Sequence, residues 1–272
     1  MRFTRWLSAL ILTLAVAGVP ATEAGALTRS VQPAGGSVTC TTSAPSGNCG
    51  PYSYAPITNS NGYNTYVANN KWGCGNPDQC GLQTVRANSP GNWQVTSNQA
   101  ARNTAVLTYP DIQQLFTKTT GADPPIASFH AIYSHFAESM HATAGTIAQA
   151  AYDIWLSNTK GPDEVMIWLD NHGRGSGGAT RVGHATIFGQ PFTVYKYGSG
   201  EIIFSLDHNE QTGTVHILAT LWWLRQHGYV SAGAGIGQVD FGWEICSTGG
   251  KPETFTVSAY TLRSVCKTHG CV

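Results

Sequence analysis

Short runs rich in β-branched and aromatic residues, separated by Gly, Pro, Asn and Ser, follow one another from Tyr63 to Leu262, and this spacing leaves few folds open. The runs are 63–68, 92–96, 104–107, 146–156, 164–169, 180–187, 192–197, 201–206, 238–246 and 254–262. Their length, with turn residues between them, predicts an all-β chain whose antiparallel strands pack as a sandwich. One segment departs from a period of two. Over residues 213–229, Ile217, Leu221 and Leu224 recur at helical spacing, Leu218 and Trp222 widen the stripe, and Gly228 supplies a stop. This predicts one α-helix packed on the outside of the sandwich, with solvated His216 and His227 near its ends.

The N-terminus narrows the setting. Arg2 and Arg5 precede an apolar run over residues 6–19 and the small-residue site Ala24-Gly25-Ala26, which predicts a signal peptide over 1–26 and a secreted, extracellular product. The apolar run is too short for a bilayer span. Residues 27–50, rich in Thr, Ser, Gly and Pro, are expected to form a flexible segment, and 51–272 the folded domain. Charged residues make up only 11% and the formal net charge is zero, so neither nucleic acid nor a membrane surface is an expected partner. A neutral, hydroxyl-bearing ligand suits a chain rich in Gly, Ser, Thr, Asn and aromatics. The seven cysteines, Cys40, Cys49, Cys74, Cys80, Cys246, Cys266 and Cys271, are expected in disulfides if the chain is exported, with at least one left over. Spacing does not set their pairing. His130, His135 and His141 lack a compact ligand spacing, so neither metal nor cofactor is expected.

Two strand-like runs each carry a glutamate. Alternation sends Val165, Ile167 and Leu169 to a core and Glu164, Met166 and Trp168 to the other face. In the second run Val239, Phe241, Trp243 and Ile245 form the apolar set, with Asp240, Gly242, Glu244 and Cys246 opposite, Gly242 leaving room beside Glu244. Asp153 falls on a polar face by the same parity, since Tyr152, Ile154 and Leu156 alternate against Ala151, Asp153 and Trp155. A strand glutamate taken alone is usually solvated. Two on one concave face have another use. Retaining hydrolysis of a glycosidic bond needs a nucleophilic carboxylate and a carboxylic acid roughly 5 to 5.5 Å apart, which two neighbouring strands can supply. Flanking aromatics suit the apolar faces of sugar rings.

The segments Glu164-Val-Met-Ile-Trp-Leu169, Gly242-Trp-Glu-Ile245 with Thr248-Gly-Gly250 downstream, and Asn69-Asn-Lys-Trp-Gly73 occur in the order found in glycoside hydrolase family 12, which the chain resembles from about Tyr63 to its end. Tyr109-Pro110, Tyr152-Asp153 and Leu224 to Tyr229 join the likeness. The resemblance implies a β-jelly roll of two antiparallel sheets with a concave substrate cleft; a monomer is expected. It also implies retaining endo-hydrolysis of β-1,4-glucan polysaccharides such as cellulose, xyloglucan or mixed-linkage glucan. By position, Glu164 would be the nucleophile, Glu244 the general acid/base and Asp153 the partner of the nucleophile. Trp72 and Asn70 would bind sugar from one strand face, and Met166 and Trp168 would line the cleft unless they pack under a loop. Cys49 and Cys80 resemble the family's N-terminal disulfide. Residues 170–178 and Cys246 depart from the family pattern, and Cys246 is either the unpaired thiol or bonded to a C-terminal cysteine. The reading from another class is a non-catalytic carbohydrate-binding jelly roll.

Overall fold

A computed structural model describes residues 65–74, 80–116 and 122–267, with two further short strands at 38–41 and 54–56. The expected signal peptide, Cys49 and Cys271 lie outside the described residues. Strands β1 (Val38–Thr41), β2 (Tyr54–Pro56), β3 (Thr65–Ala68), β4 (Gln83–Ser89), β5 (Asn92–Ser97), β6 (Asp111–Leu115) and β7 (Phe129–Met140) come first. Then follow β8 (Thr146–Ser157), β9 (Glu164–His172), β10 (Thr180–Ile187), β11 (Gln190–Tyr197), β12 (Glu201–Leu206) and β13 (Thr212–Val215). Helix α1 (Ile217–Gln226), β14 (Gly235–Thr248) and β15 (Glu253–Cys266) complete the order. A six-stranded sheet, β1-β4-β5-β15-β7-β13, packs on a nine-stranded one, β10-β11-β12-β9-β8-β14-β6-β3-β2.

The larger sheet is not wholly antiparallel, contrary to expectation. β12 runs parallel to β9, Glu201 beside Glu164, because the chain leaves β9, crosses to the edge strand β10 and returns through two antiparallel pairings. Residues 104–107 form no strand, and Thr108 makes only an isolated bridge to Ile245. The helix is also shorter than its stripe suggested, since Thr212–Val215 pairs with β7 and the helical turns begin at Ile217. Ile217, Leu218, Leu221 and Leu224 bury that stripe against the sandwich. His216 and His227 are not simply solvated, for they stack on Phe188 and Trp223 with ring centroids 3.6 and 3.7 Å apart. Strand β1 lies inside the 27–50 stretch and pairs with β4.

Alternation holds where it matters for the site. Val165, Ile167 and Leu169, and Val239, Phe241, Trp243 and Ile245, all enter the core between the sheets. Burying a large apolar side chain of this kind contributes about 1.5 to 3 kcal/mol. Tyr152 packs at a tilt against Phe241, centroids 4.7 Å apart, and donates its hydroxyl to Ser134 Oγ at 2.7 Å across the sandwich, fixing β8 from beneath. Cys80 pairs with Cys74, not with Cys49, Cys266 is disulfide-bonded, and Cys246 is a buried free thiol.

Candidate active site

Strands β9, β8 and β14 lie side by side in the larger sheet, so the faces turned from the core bring their polar residues together. Across this face Glu164 stands opposite Trp155 on β8 and Glu201 on β12, and Asp153 stands opposite Met166 on β9 and Asp240 on β14. Glu244 stands opposite Gln149. The two glutamates are therefore not on neighbouring strands: β8 runs between them, because it hairpins with β9 and pairs with β14 along its other edge. Their partners on β8 are six residues apart (155 − 149), and Asp153 lies between.

Asp153 ties the arrangement together. It is 7% exposed, its Oδ2 accepts a 3.0 Å bond from Trp155 Nε1, and its Oδ1 meets no hydrogen-bond partner. Burial first, then the charges of Glu164, Asp240, Glu244 and Glu201, hold its carboxyl well above the usual range. Asp153 thus keeps its proton to higher pH than a surface carboxyl does. The row extends sideways: burial raises Asp240 and Asp111 strongly, while Gln238 Nε2 donates to Asp240 at 2.6 Å and Gln113 and Asn70 bond to Asp111. Gly242 does not leave the room beside Glu244 that alternation suggested. A Cβ there would lie 2.1 Å from the Pro110 carbonyl and 2.6 Å from Asp111 Cα, so the missing side chain admits the neighbouring backbone.

Glu244 has different company. It is 6% exposed; Gln149 Nε2 donates to its Oε2, and Arg174 Nη1 lies 3.5 Å from the same oxygen. Burial raises its carboxyl, and Arg174 and Gln149 oppose the rise. Arg174 Nη1 is also 3.6 Å from Cys246 Sγ, and burial pushes that thiol up to about 11, so it stays neutral.

Met166 and Trp168 sit on the predicted face yet are 2% and 1% exposed. They form a satellite cluster with Ala151 and Ile203, against which Ala179, Tyr195 and Tyr197 pack. The segment after β9 roofs them: a Cβ on Gly177 would lie 3.2 Å from the Trp168 ring, and the Arg174 guanidinium sits 5.3 Å from its centroid. Packing under a loop is the arrangement found. A polar groove of about 380 Å³ opens beside that segment, lined by Asn171, Ser176, Thr193, Tyr195, Ser205 and Asp207 among others, and reaches neither glutamate.

Trp72 and Asn70 lie beyond the end of β3, not on a strand face: Trp72 begins a 3-10 turn, Trp72–Cys74, and its N–H donates to Asn70 Oδ1 at 3.3 Å. Trp72 is 55% exposed, held out by what anchors its neighbours. Gln83 Nε2 donates to Asn69 Oδ1 and Ser97 Oγ to Gln83 Oε1, each at 2.8 Å, while Cys74 is bonded to Cys80. Sequence reasoning gave no role to Trp155 or Arg174. Trp155, 40% exposed beside Glu164, is an open aromatic ring next to the candidate nucleophile, and its place on the Asp153 face was readable from alternation. Arg174 carried no such signal.

No protein-family model matches the chain, and no curated protein is similar to it in sequence. Solved structures are. A native family 12 xyloglucanase from Bacillus licheniformis superposes with a TM-score of 0.66 at 24% identity, covering 84% of this chain and 100% of that one. The xyloglucanase domain of NopAA, a type three effector from Sinorhizobium fredii solved with cellobiose, gives 0.58 at 22% identity, covering 78% and 96%. Endoglucanase Cel12A from Rhodothermus marinus gives 0.66 at 18% identity, covering 84% and 100%. At these identities the likeness is one of architecture, and the chain has the jelly-roll fold of the family 12 glycoside hydrolases.

Proposed function

We propose that the protein is a secreted, monomeric glycoside hydrolase that cleaves internal β-1,4-glucosidic bonds of a glucan polysaccharide by double displacement. The Glu164 carboxylate attacks the anomeric carbon and the bond to the glycosidic oxygen breaks as Glu244 gives that oxygen its proton. A water then attacks the same carbon, Glu244 takes the water's proton, and Glu164 is released. Asp153 holds Glu164 by sharing a proton with it. The observation that carries this reading is the common face of β8, β9 and β14, on which a buried Asp153, its carboxyl held well above the usual range, feels the charge of both glutamates.

Glu164→Gln and Glu244→Gln should each lower turnover of carboxymethylcellulose, xyloglucan or mixed-linkage glucan by on the order of a thousandfold or more, the scale of a lost acid/base group, with unchanged circular dichroism. Reducing-end assays check this, and near-native activity in either variant would refute the assignment. Stereochemistry is the sharper measurement. Retention needs carboxyl groups about 5 to 5.5 Å apart and inversion about 6.5 to 9.5 Å, so the first-formed anomer, read by proton NMR, separates the two. An inverted product would overturn the double displacement and leave hydrolysis standing. Glucan binding in calorimetry with no release of reducing ends would favour a non-catalytic binding jelly roll. Among substrates, xyloglucan is the second reading, since the two xyloglucanase structures share 24% and 22% identity with the chain against 18% to 20% for endoglucanases.

A further inference from the structure

We infer that Arg174 is the positioning residue of Glu244: seated on the Trp168 ring, its guanidinium fixes the carboxyl that gives and takes the proton, and its segment must shift to admit a sugar. The inference rests on the hydrolytic reading of Glu244. Three independent contacts define the seat. Nη1 lies 3.5 Å from Glu244 Oε2 and 3.6 Å from Cys246 Sγ, and the guanidinium carbon lies 5.3 Å from the Trp168 centroid. A guanidinium set over an indole, with one nitrogen 3.5 Å from a carboxylate oxygen, is held in two directions, which a lysine ammonium cannot reproduce.

The backbone explains how a loop residue reaches so far. Gly173, Gly175, Gly177 and Gly178 all take positive φ, so the segment turns in a way that side chains rarely permit, and Gly177 presses on Trp168. Met166 and Trp168, buried beneath it, give it an apolar floor. The consequence for Glu244 is that Gln149 and Arg174 both engage Oε2 and the side chain is 6% exposed. A glycosidic oxygen can reach that carboxyl only when the Arg174 segment gives way. The contact that orders Glu244 in the free protein therefore also covers it.

Four titratable or charged groups face Glu244: Arg174 after β9, Cys246 beside it on β14, Asp153 on β8, and Tyr109 ahead of β6. Arg174 is the cation among them, and it acts against the burial that raises the Glu244 carboxyl. Removing the cation should raise that carboxyl further. A general acid works while protonated, so the alkaline limb of the kcat/KM profile should move to higher pH.

The test compares the wild-type protein with Arg174→Met and Arg174→Lys, reading two quantities. Carbon-13 NMR of the Glu244 carboxyl, assigned through Glu244→Gln, follows its titration without substrate. In Arg174→Met its midpoint should move up, and in Arg174→Lys it should stay near the wild-type position. In the pH profile on the best glucan, Arg174→Met should carry the alkaline limb upward and lower kcat about tenfold at the wild-type optimum, a fraction of what a full acid/base group supplies. Arg174→Lys should keep the limb and lose kcat, because charge is restored and orientation is not. A Glu244 midpoint and an alkaline limb unmoved in Arg174→Met would overturn the inference. If the wild type cleaves no glucan, the hydrolytic reading fails, while the carboxyl titration still decides whether Arg174 governs Glu244. An Arg174→Met that does not fold leaves Arg174→Lys to decide, wild-type kcat there counting against the positioning role.

Discussion

Glu164 and Glu244 are the same residue type on the same face of one sheet, and the two ends of that face treat them differently. Around Glu164 stand Glu201 and Asp153, then Asp240 and Asp111, with the indole N–H of Trp155 and amides among them. Around Glu244 stand the Gln149 amide and the Arg174 cation, on a buried thiol and an indole. A crowd of carboxyls forces protons to be shared. A buried carboxyl met by a cation is instead a tunable acid. Pushing carboxyls apart by environment is how one site runs nucleophilic and acid/base chemistry together.

The largest test of this contrast, after the glutamates themselves, is Asp153. If it serves Glu164 as a protonated donor, an amide can stand in for it and a methyl cannot. Asp153→Ala should lower kcat about a hundredfold, the low end of a proton-transfer contribution, and Asp153→Asn should recover most of that loss. Steady-state kinetics on the preferred glucan checks this. An asparagine variant as poor as the alanine variant would mean that Asp153 must ionise, and the two ends of the face would then differ less than their surroundings indicate.

Trp155 sharpens the same end by a smaller amount. Its ring is open beside Glu164 while its N–H holds Asp153, so platform and hydrogen bond can be separated. Trp155→Phe should keep KM and lower kcat a few-fold by freeing Asp153. Trp155→Ala should also raise KM about tenfold, the loss of an aromatic contact worth roughly 1.4 kcal/mol. Equal KM in both variants would remove the ring from the binding surface and leave only its bond to Asp153.

What could be read from the sequence divides along similar physical lines. β9 and β14 were legible because their inward residues, Val165, Ile167 and Leu169 and then Val239, Phe241, Trp243 and Ile245, are all apolar and keep a period of two. β7 was not, because Ser134 and Glu138 interrupt the inward series of Ile132 and Phe136, Ser134 bonded to Tyr152 and Glu138 set near Asp170, both far away in sequence. β4 hid for the same reason: inward Gln83 belongs to a buried network with Asn69, Ser97 and Thr108. The acidic row was half legible. Parity put Asp153, Asp240 and Glu244 on polar faces, but only the register shows that β8 separates the glutamates. Arg174 lay beyond reach, since a glycine-rich segment has no period from which its landing place could be read.

The smallest effect comes from a carboxyl pair on the core side of the sandwich, which serves as a control for the cleft. Glu138 on β7 lies close enough to Asp170 on β9 to feel its charge, and Asp170 Oδ1 lies 2.7 Å from His172 Nε2. Burial first and then Asp170 push Glu138 from an ordinary value of 4.5 up to about 9. The unfolded chain releases that proton near 4.5 and the folded chain keeps it to about 9, so within this window the folded state binds more protons. Stability from this group is full below the unfolded value, falls as pH rises through the window, and is lost above about 9. Asp153, Asp240 and Asp111, raised in the same direction, should steepen the decline. Glu138→Gln removes one contributor far from the cleft face. Thermal unfolding followed by circular dichroism should show Tm falling with pH in the wild type and falling less in the variant, the gap reaching about a few degrees near pH 9. The kcat/KM profile should keep its shape, because Glu138 touches neither glutamate. A parallel fall in Tm in both proteins would place the titrating carboxyls in the cleft row alone, and a changed activity profile would mean that the two faces of β9 are coupled through Asp170.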